Sequence, residues 1–361
     1  MEQKNQVDGM LELLLRPAFY VQDGIIVQTN RGAQQLFIQP NDPIGPMIAS
    51  GKEEYEAFEC GCLHLSLRIS GQIFGASVTQ GTDGHIFTLE PASTQPELQC
   101  IALAAQELRE PLAGMMAATN RLMQDAEQSS NTATKDSAAQ VNRRMFQLLR
   151  IIGNMSDAQQ YAQRSESHQE YRNIAALFRD LFSSAVSLAE QAGYHLEFTG
   201  PEEAIYTMVD KDMLERAIYN LISNAMKFSP AGSAIRASLV VSDKKLRFSI
   251  EDSGSGVGNS IQSTVFTRYL RMPALEDSRH GLGLGMVLVR YAAFAHGGAV
   301  LMDQPHGQGT RVTLTLAIRH GHGDRLQSPI LRVDYTGEYN HGLVELSDVL
   351  PAYLYENETL P

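Results

Sequence analysis

The stretch that decides the fold runs from Asn220 to Lys227 and reads NLISNAMK. Apolar residues recur before and within it at the spacing of one helix face: Met213, Leu214, Ala217, Ile218, Leu221 and Ile222. On such a helix Asn220, Asn224 and Lys227 share a face, at positions i, i+4 and i+7. Amide oxygens are suitable ligands for Mg²⁺, and an ammonium group binds phosphate. Alone, the pattern is more typical of a solvated polar face.

Three glycine-containing motifs follow along the chain. The first, DSGSG, comes directly after an alternating apolar segment that predicts a strand. Its aspartate, Asp252, can accept a hydrogen bond from the exocyclic amine of adenine. Gly254 and Gly256 allow the backbone to pass close to a nucleotide. Taken singly, this motif indicates no more than a turn.

The second motif, GLGLG, precedes an apolar helix. Its glycines, Gly281, Gly283 and Gly285, can offer backbone N–H groups to a polyphosphate. A dinucleotide-binding motif is excluded, because the preceding strand and the third-glycine spacing are missing. The third motif, GQGT, ends at Thr310 before another alternating segment. It is typical of a hairpin turn, and it would also complete a phosphate site.

In this order the four motifs resemble the N, G1, G2 and G3 boxes of the ATPase domain that histidine kinases share with gyrase, Hsp90 and MutL. Residues 266–269 lie where the kinases carry their F box, and the segment from there to Gly281 would be a mobile lid. The resemblance covers residues 170–320. It implies a two-layer α/β sandwich that binds ATP and Mg²⁺.

The resemblance also implies roles for single residues. Asn224 would help to hold Mg²⁺, while Asn220 and Lys227 would meet the phosphates or the metal. Asp252 would bind adenine. The hydrolases of this superfamily carry a glutamate at the position of Asn220 and use it to activate water, which an amide cannot do. The sequence therefore favours the kinase branch over a gyrase-like or chaperone-like ATPase.

Residues 97–165 predict a helical hairpin. Two rows of residues spaced by seven form a heptad seam: Ile101, Leu108, Met115 and Leu122, with Leu98, Ala105, Leu112 and Thr119. After a polar break the pattern resumes at Val141, Met145, Leu148, Ile152 and Met155. The seam is explained either by packing within one chain or by a dimeric four-helix bundle, which we favour. A homodimer is the expected partner state.

The first helix of this hairpin contains AQELREPL, which resembles the H box of the kinase dimerisation helix. Five positions match the family: Glu107, Leu108, Arg109, Pro111 and Leu112. Gln106 stands at the place of the phospho-accepting histidine, and Glu110 replaces the threonine or asparagine that positions water. An amide nitrogen has given its lone pair to the carbonyl, so Gln106 cannot accept a phosphoryl group as an imidazole does. Gln106 and Glu107 thus mark a degenerate catalytic position.

Residues 1–92 resemble a PAS sensor domain through two short strands around Asp23 and Gly24 and a short helix after Asn30. The alternation from His64 to Ile69 predicts a half-buried strand. The domain would receive an unknown small-molecule or protein signal. Residues 321–361 form an extension in which the apolar runs 331–333 and 343–346 predict strands.

The composition narrows the class of protein further. The net charge of −12 and the pI of about 5.3 disfavour a nucleic-acid partner. No apolar run reaches the roughly 20 residues of a membrane span, and an odd count of three cysteines favours a reducing compartment. Cys60 and Cys62 would share a strand face as ordinary thiols. We expect a cytoplasmic protein.

Taken together, these patterns and resemblances predict an α+β multidomain protein. It would consist of a PAS-like domain, a helical hairpin and an ATPase domain of the histidine-kinase/Hsp90 type. It would be a two-component signalling protein that binds Mg-ATP, is defective in ordinary histidine autophosphorylation and regulates a response regulator or a partner histidine kinase. The alternatives are an active kinase that phosphorylates a histidine on another chain, and a slow ATPase.

Overall fold

A computed structural model describes residues 11–12, 14, 16–91, 104–105, 108, 112–115, 118–119, 121, 132–163, 169–242, 244–257, 284–305, 308–319 and 340–356. Several positions singled out above lie outside these ranges: Gln106, Glu107, Glu110, Gly281, Gly283, residues 266–269 and residues 331–333. Their roles stay predictions from the sequence.

The first structural block is an antiparallel sheet with short helices. In chain order its elements are β1 (Ala18–Gln22), β2 (Ile25–Thr29), α1 (Arg31–Gln35), β3 (Ile48–Ser50), α2 (Lys52–Glu56), β4 (Cys62–Ile69), β5 (Gln72–Gln80) and β6 (His85–Pro91). The strand order is β2-β1-β6-β5-β4, with β3 paired to β4. The hairpin predicted at Asp23 and Gly24 is confirmed, with φ of 52° and 75°. Asn30 caps α1 by accepting a hydrogen bond from Ala33 N.

The second block begins with a long helix and continues as a mixed α/β layer. Its elements are α3 (Thr132–Gln163), β7 (Glu170–Asn173), α4 (Ile174–Gln191), β8 (His195–Thr199), β9 (Tyr206–Val209), α5 (Lys211–Phe228), β10 (Ala234–Val241), β11 (Lys245–Glu251), α6 (Gly285–Ala295), β12 (Val300–Asp303) and β13 (Arg311–Ala317). The sheet order is β12-β13-β11-β10-β8, while β7 and β9 pair separately. Helices α4, α5 and α6 pack on this sheet around one apolar core.

The two sheets are continuous. Strand β4 pairs antiparallel with β12, with Leu63 opposite Leu301. Only glycine fits at Gly61, because a Cβ there would lie 2.2 Å from the Met302 carbonyl oxygen. The prediction of a half-buried β4 is therefore wrong: seven of its eight residues are buried, because helix α6 covers the second face of the strand. The alternating pattern could not reveal that cover, since the outer face carries small and polar residues.

Helix α3 lies against the second block rather than standing apart. Its inward side chains belong to the same apolar core as α4, α5 and α6: Met145, Phe146, Ile152, Met155 and Ala158. Other apolar residues of the predicted seam remain exposed in the single chain, with relative exposures of 40–53%: Val141 and Leu148 on α3, and Leu108 and Met115 earlier in the chain. The heptad seam predicted from the sequence therefore divides into a buried intramolecular part and an exposed part.

The C-terminal segment, residues 340–356, also joins this core. It contains a short helix, α7 (His341–Glu345), followed by the 3-10 turn Ala352–Tyr355. The strand predicted at residues 343–346 is wrong. Asn340 caps the helix by accepting a hydrogen bond from Gly342 N, and the apolar run turns inward in helical conformation.

Cys60 and Cys62 do not share a face. Cys62 is buried at the start of β4, whereas Cys60 precedes the strand and is exposed. Burial raises the pKa of the Cys62 thiol to about 12, as expected of an inert core thiol.

Candidate functional site

The helix that carries the first motif is confirmed as α5. Asp210 caps it by accepting a hydrogen bond from Met213 N. Asn224 and Lys227 are partly exposed on it, whereas Asn220 is only 2% exposed. The three residues thus share a helix face that passes from the protein interior to solvent.

The amide of Asn220 is held by protein groups at both ends. Its Nδ2 donates to the Arg216 carbonyl oxygen at 2.9 Å, and its Oδ1 accepts from Arg150 Nη2 of helix α3 at 3.3 Å. This contact between α3 and the ATPase block had no signal in the sequence, because 70 residues separate Arg150 from Asn220.

Helix α6 begins directly beside Asn220. Its first residue, Gly285, has no room for a side chain, since a Cβ would lie 2.7 Å from Asn220 Oδ1. Leu284 occupies the cap position and makes no side-chain capping bond, so the first N–H groups of α6 are not satisfied by a side-chain cap. The start of such a helix attracts anions. The N motif and the last glycine of GLGLG therefore meet in space.

Asp252 is confirmed at the end of β11, where it organises the next two motifs. Its Oδ1 accepts hydrogen bonds from Gly254 N at 2.8 Å and Thr310 N at 3.1 Å. Burial raises the pKa of the Asp252 carboxyl, the N–H donors of Gly254 and Thr310 lower it, and the charge of Glu251 raises it. The result is a raised pKa. Because both bonds go to Oδ1, Oδ2 can accept from an amine.

The glycines of these two motifs are required by close backbone packing. Gly309 has a φ of 74°, and a Cβ there would lie 2.1 Å from the Asp252 carbonyl oxygen. A Cβ on Gly254 would lie 2.6 Å from the carbonyl oxygen of Phe228, the last residue of α5. Gly256 also has a positive φ of 78°. The DSGSG and GQGT loops consequently lie together beside the last turn of α5.

A cluster of buried charges adjoins the site and was not found from the sequence. Arg150 and Arg216 flank Glu345, whose side chain is fully buried, and Asp157 and Asp348 pair with the two arginines. The one available signal was the glutamate inside the apolar run 343–346, a position where an unpaired charge is strongly disfavoured.

A separate cavity of about 460 Å³ lies at one end of the first sheet. Its lining includes Tyr55, Phe58 and His85, with Asp23 and Asp83 at the adjoining turns. Burial raises the pKa of Tyr55 to about 12 and lowers that of His85.

Within the described ranges, His, Cys, Asp and Glu side chains form no group of three able to hold a metal ion. The metal contact expected of the Asn224 amide oxygen stays a prediction. None of the helices described is long and apolar enough to traverse a membrane.

Comparison with known families gives a match to part of the second block. Residues 209–320 match the family described as histidine kinase-, DNA gyrase B-, and HSP90-like ATPase. The matched region contains α5, Asp252, Gly285 and Thr310, which the structure brings together. This match supports ATP binding by the block.

Individual relatives are named as sensor kinases or sensor proteins. The chain is 28% identical over 256 residues to the sensor histidine kinase WalK of Bacillus subtilis, covering 67% of this chain and 41% of that protein. It is 26% identical over 228 residues to the adaptive-response sensory kinase SasA of a Synechococcus strain, covering 60% and 58%. It is 27% identical over 199 residues to the sensor protein KdpD of Clostridium acetobutylicum, covering 54% and 22%. The chain thus spans between about a fifth and three fifths of these relatives.

A solved structure shares the fold. The full-length ShkA structure in complex with AMPPNP aligns with a TM-score of 0.50 at 21% identity, over 63% of this chain and 47% of that one. The ATPase family match thus lies within the second block, and the relatives WalK and SasA, to which the chain is similar, are named as sensor or sensory kinases.

Proposed function

We propose that the chain is a two-component signalling protein that binds Mg-ATP in the space bounded by α5, the start of α6 and the loops that precede β13 and follow β11. One observation carries this proposal. Four motifs that are far apart in sequence meet around α5, with Gly285 on Asn220 and with Thr310 and Gly254 on Asp252.

In this site each residue has one task. Asp252 Oδ2 accepts the exocyclic amine of adenine, and Gly254 and Gly256 keep the floor of the pocket free of side chains. Asn224 holds Mg²⁺ through its amide oxygen. Lys227 supplies positive charge to the phosphates. Gly285 offers its backbone N–H group at the start of α6, and the sequence motif predicts the same role for Gly281 and Gly283.

The proposed protein does not phosphorylate itself in the usual way. Gln106 lacks a nucleophilic nitrogen, and phosphoryl transfer needs such an acceptor in line with the γ-phosphate. Nucleotide binding would then act through conformation, and the partner would be a response regulator or another histidine kinase. The cytoplasm remains the proposed compartment.

The rest of the chain fits the same proposal. The strand order β2-β1-β6-β5-β4, with short helices between β2 and β4, supports a PAS-like domain over residues 1–92. The exposed apolar stripe of residues 97–165 supports a homodimer through a four-helix bundle. The ATPase domain covers residues 170–320, and the extension covers residues 321–361.

Calorimetry of the full chain with ATP and Mg²⁺ tests the proposal. Asp252→Ala removes the adenine acceptor and should weaken binding by about 1–3 kcal/mol. Asp180→Ala, which removes an exposed carboxylate on α4, is the matched control and should bind like the wild type. No nucleotide binding by the wild type would refute the site.

A second candidate is an active kinase that phosphorylates a histidine on another chain. The observation that favours it is Asn220 at the place of the hydrolytic glutamate, combined with the retained ATP motifs. Incubation with labelled ATP, alone and with candidate histidine kinases or response regulators, separates the two. Label on a partner histidine supports the second candidate, and binding without transfer supports the first.

A further inference from the structure

Residues 340–356 are fastened to one face of helix α3. Arg143, Gln147 and Arg150 are spaced at i, i+4 and i+7 and therefore point the same way. Arg143 donates to the carbonyl oxygens of Ser347 and Asp348 at 3.1 and 3.0 Å. Gln147 donates to the Ser347 carbonyl oxygen at 3.0 Å, and Arg150 donates to the Asp348 carboxylate at 2.7 Å.

The C-terminal end of the segment, at Tyr353 and Tyr355, is also held by contacts with the helices. Tyr355 is fully buried, and its ring packs edge-on against Phe146 of α3 with the centroids 5.0 Å apart. Asn142 Nδ2 donates to the Tyr355 carbonyl oxygen at 2.8 Å. Tyr353 donates from its hydroxyl to the Gln191 carbonyl oxygen, at the end of α4.

The segment also binds the helix of the nucleotide site. The Glu345 carboxylate lies 3.7 Å from Arg150 Nε of α3 and 3.4 Å from Arg216 Nη1 of α5. Glu345 is fully buried, so separating its carboxylate from both arginines would be strongly disfavoured. Glu345 thus links the two helices.

This linkage ends on Asn220. Arg150, held by Glu345 and Asp348, uses its remaining nitrogen Nη2 to donate to Asn220 Oδ1. The Asn220 amide is 2% exposed and has protein partners at both its oxygen and its nitrogen. A phosphate or metal can therefore reach this amide only after Arg150 has moved away.

We infer that residues 340–356 form an internal clamp that holds α3 against the ATPase domain and keeps Asn220 from the nucleotide. The inference rests on the proposed function. Only molecules in which the clamp is released would bind ATP with full affinity. The apparent Kd is therefore the intrinsic Kd divided by the fraction of molecules in this released state. By reciprocity, bound ATP favours release of the clamp.

The test compares four full-length proteins. The double variant Arg143→Ala/Gln147→Ala removes three hydrogen bonds to the segment without touching the core or Asn220. Tyr355→Leu loosens the other anchor. Gln140→Ala, which changes an exposed glutamine on the same helix, is the matched control. Calorimetry gives the Kd for a non-hydrolysable ATP analogue with Mg²⁺, and hydrogen exchange monitors residues 340–356.

We expect both clamp variants to exchange faster at residues 340–356 and to bind the analogue with a roughly three- to tenfold lower Kd than the wild type or Gln140→Ala. The analogue should also speed exchange of this segment in the wild type. Equal or weaker binding in the variants would overturn the clamp while leaving the ATP site intact, and so would unchanged exchange. Binding by none of the four proteins would instead refute the proposed function.

Discussion

Glu90, near the end of β6, forms a buried ion pair with Arg290 of helix α6. Their side chains are 10% and 8% exposed, and Arg16 pairs with the second oxygen of Glu90. Helix α6 begins at Gly285, beside Asn220. The first sheet block is therefore fixed by an ion pair to the helix whose start belongs to the candidate nucleotide site, which gives a physical connection between the first block and that site.

Removing the carboxylate of this pair should destabilise the protein. Glu90→Gln removes the carboxylate charge that pairs with the buried Arg290 guanidinium and with Arg16, so we expect a loss of about 3–5 kcal/mol in the free energy of unfolding, measured by denaturant titration. The control Glu197→Gln breaks the ion pair between Glu197 and Arg236, in which both side chains are 68% exposed. It should lower the free energy of unfolding by only about 0–1 kcal/mol. If both substitutions lowered the free energy of unfolding by the same small amount, the Glu90–Arg290 pair would not stabilise the contact between the first block and α6.

His64 should make stability depend on pH. It is buried on β4 opposite Ser77, and burial together with the charge of Arg290 places its pKa well below the ordinary value. Below about pH 6.5 the unfolded imidazole takes up a proton that the folded one does not, so the free energy of unfolding falls as the pH is lowered. The slope is at most about 1.4 kcal/mol per pH unit.

Denaturant titrations at several pH values between about 7.5 and about 5 test this pH dependence, because the range spans the ordinary histidine pKa of about 6.5. His64→Gln should show a shallower fall than the wild type. His195→Gln, which replaces an exposed histidine on β8, should keep the slope of the wild type. If the free energy of unfolding fell equally with pH in the wild type and in His64→Gln, the fold would not prevent protonation of His64.

Nucleotide affinity should fall on acidification. Because burial raises the pKa of Asp252, its carboxylate loses its charge at a higher pH than an ordinary aspartate, and the protonated group is a weaker acceptor for the adenine amine. Calorimetry across the acidic range measures the effect. Asp252→Asn does not titrate, so its weaker affinity should change less with pH. Identical pH profiles would rule out Asp252 as the adenine acceptor.

The exposed seam predicts a homodimer. Leu108 and Leu148 are 48% and 40% exposed in the single chain, and glutamate at both positions would place charge in an apolar interface. Light scattering of Leu108→Glu/Leu148→Glu should give a monomer at micromolar concentration. Val240→Glu changes an apolar residue on β10 that is 56% exposed and should stay dimeric. A monomeric wild type would refute this interface.

Gln106 predicts a silent acceptor position, although it lies outside the described residues. The wild type with Mg-ATP should form no acid-labile phosphate on itself. Gln106→His should restore weak labelling at most, because the charge of Glu110 repels the γ-phosphate. Adding Glu110→Thr should increase it. Label on the wild type would reveal another acceptor, and no label on either variant, with ATP bound, would indicate that transfer geometry is lost.

The sequence by itself determined the features that depend on neighbours along the chain. The turn at Asp23 and Gly24, the helix through Asn220 and Lys227 and the strand end at Asp252 follow from local backbone preferences and from the period of apolar residues. The ordered motifs also predicted which residues would meet at the site, and the structure brings Asn220 to Gly285 and Asp252 to Thr310.

The tertiary structure alone decided what covers these elements. The second face of β4 is buried because α6 packs on it, and the run 343–346 is helical because its apolar side chains complete a core formed by α3 and the ATPase helices. Likewise, Glu345 forms ion pairs with Arg150 and Arg216, and Arg150 donates a hydrogen bond to Asn220, across long separations in the chain. Such pairings depend on the burial of charge between distant elements, and no periodic pattern along the sequence encodes them.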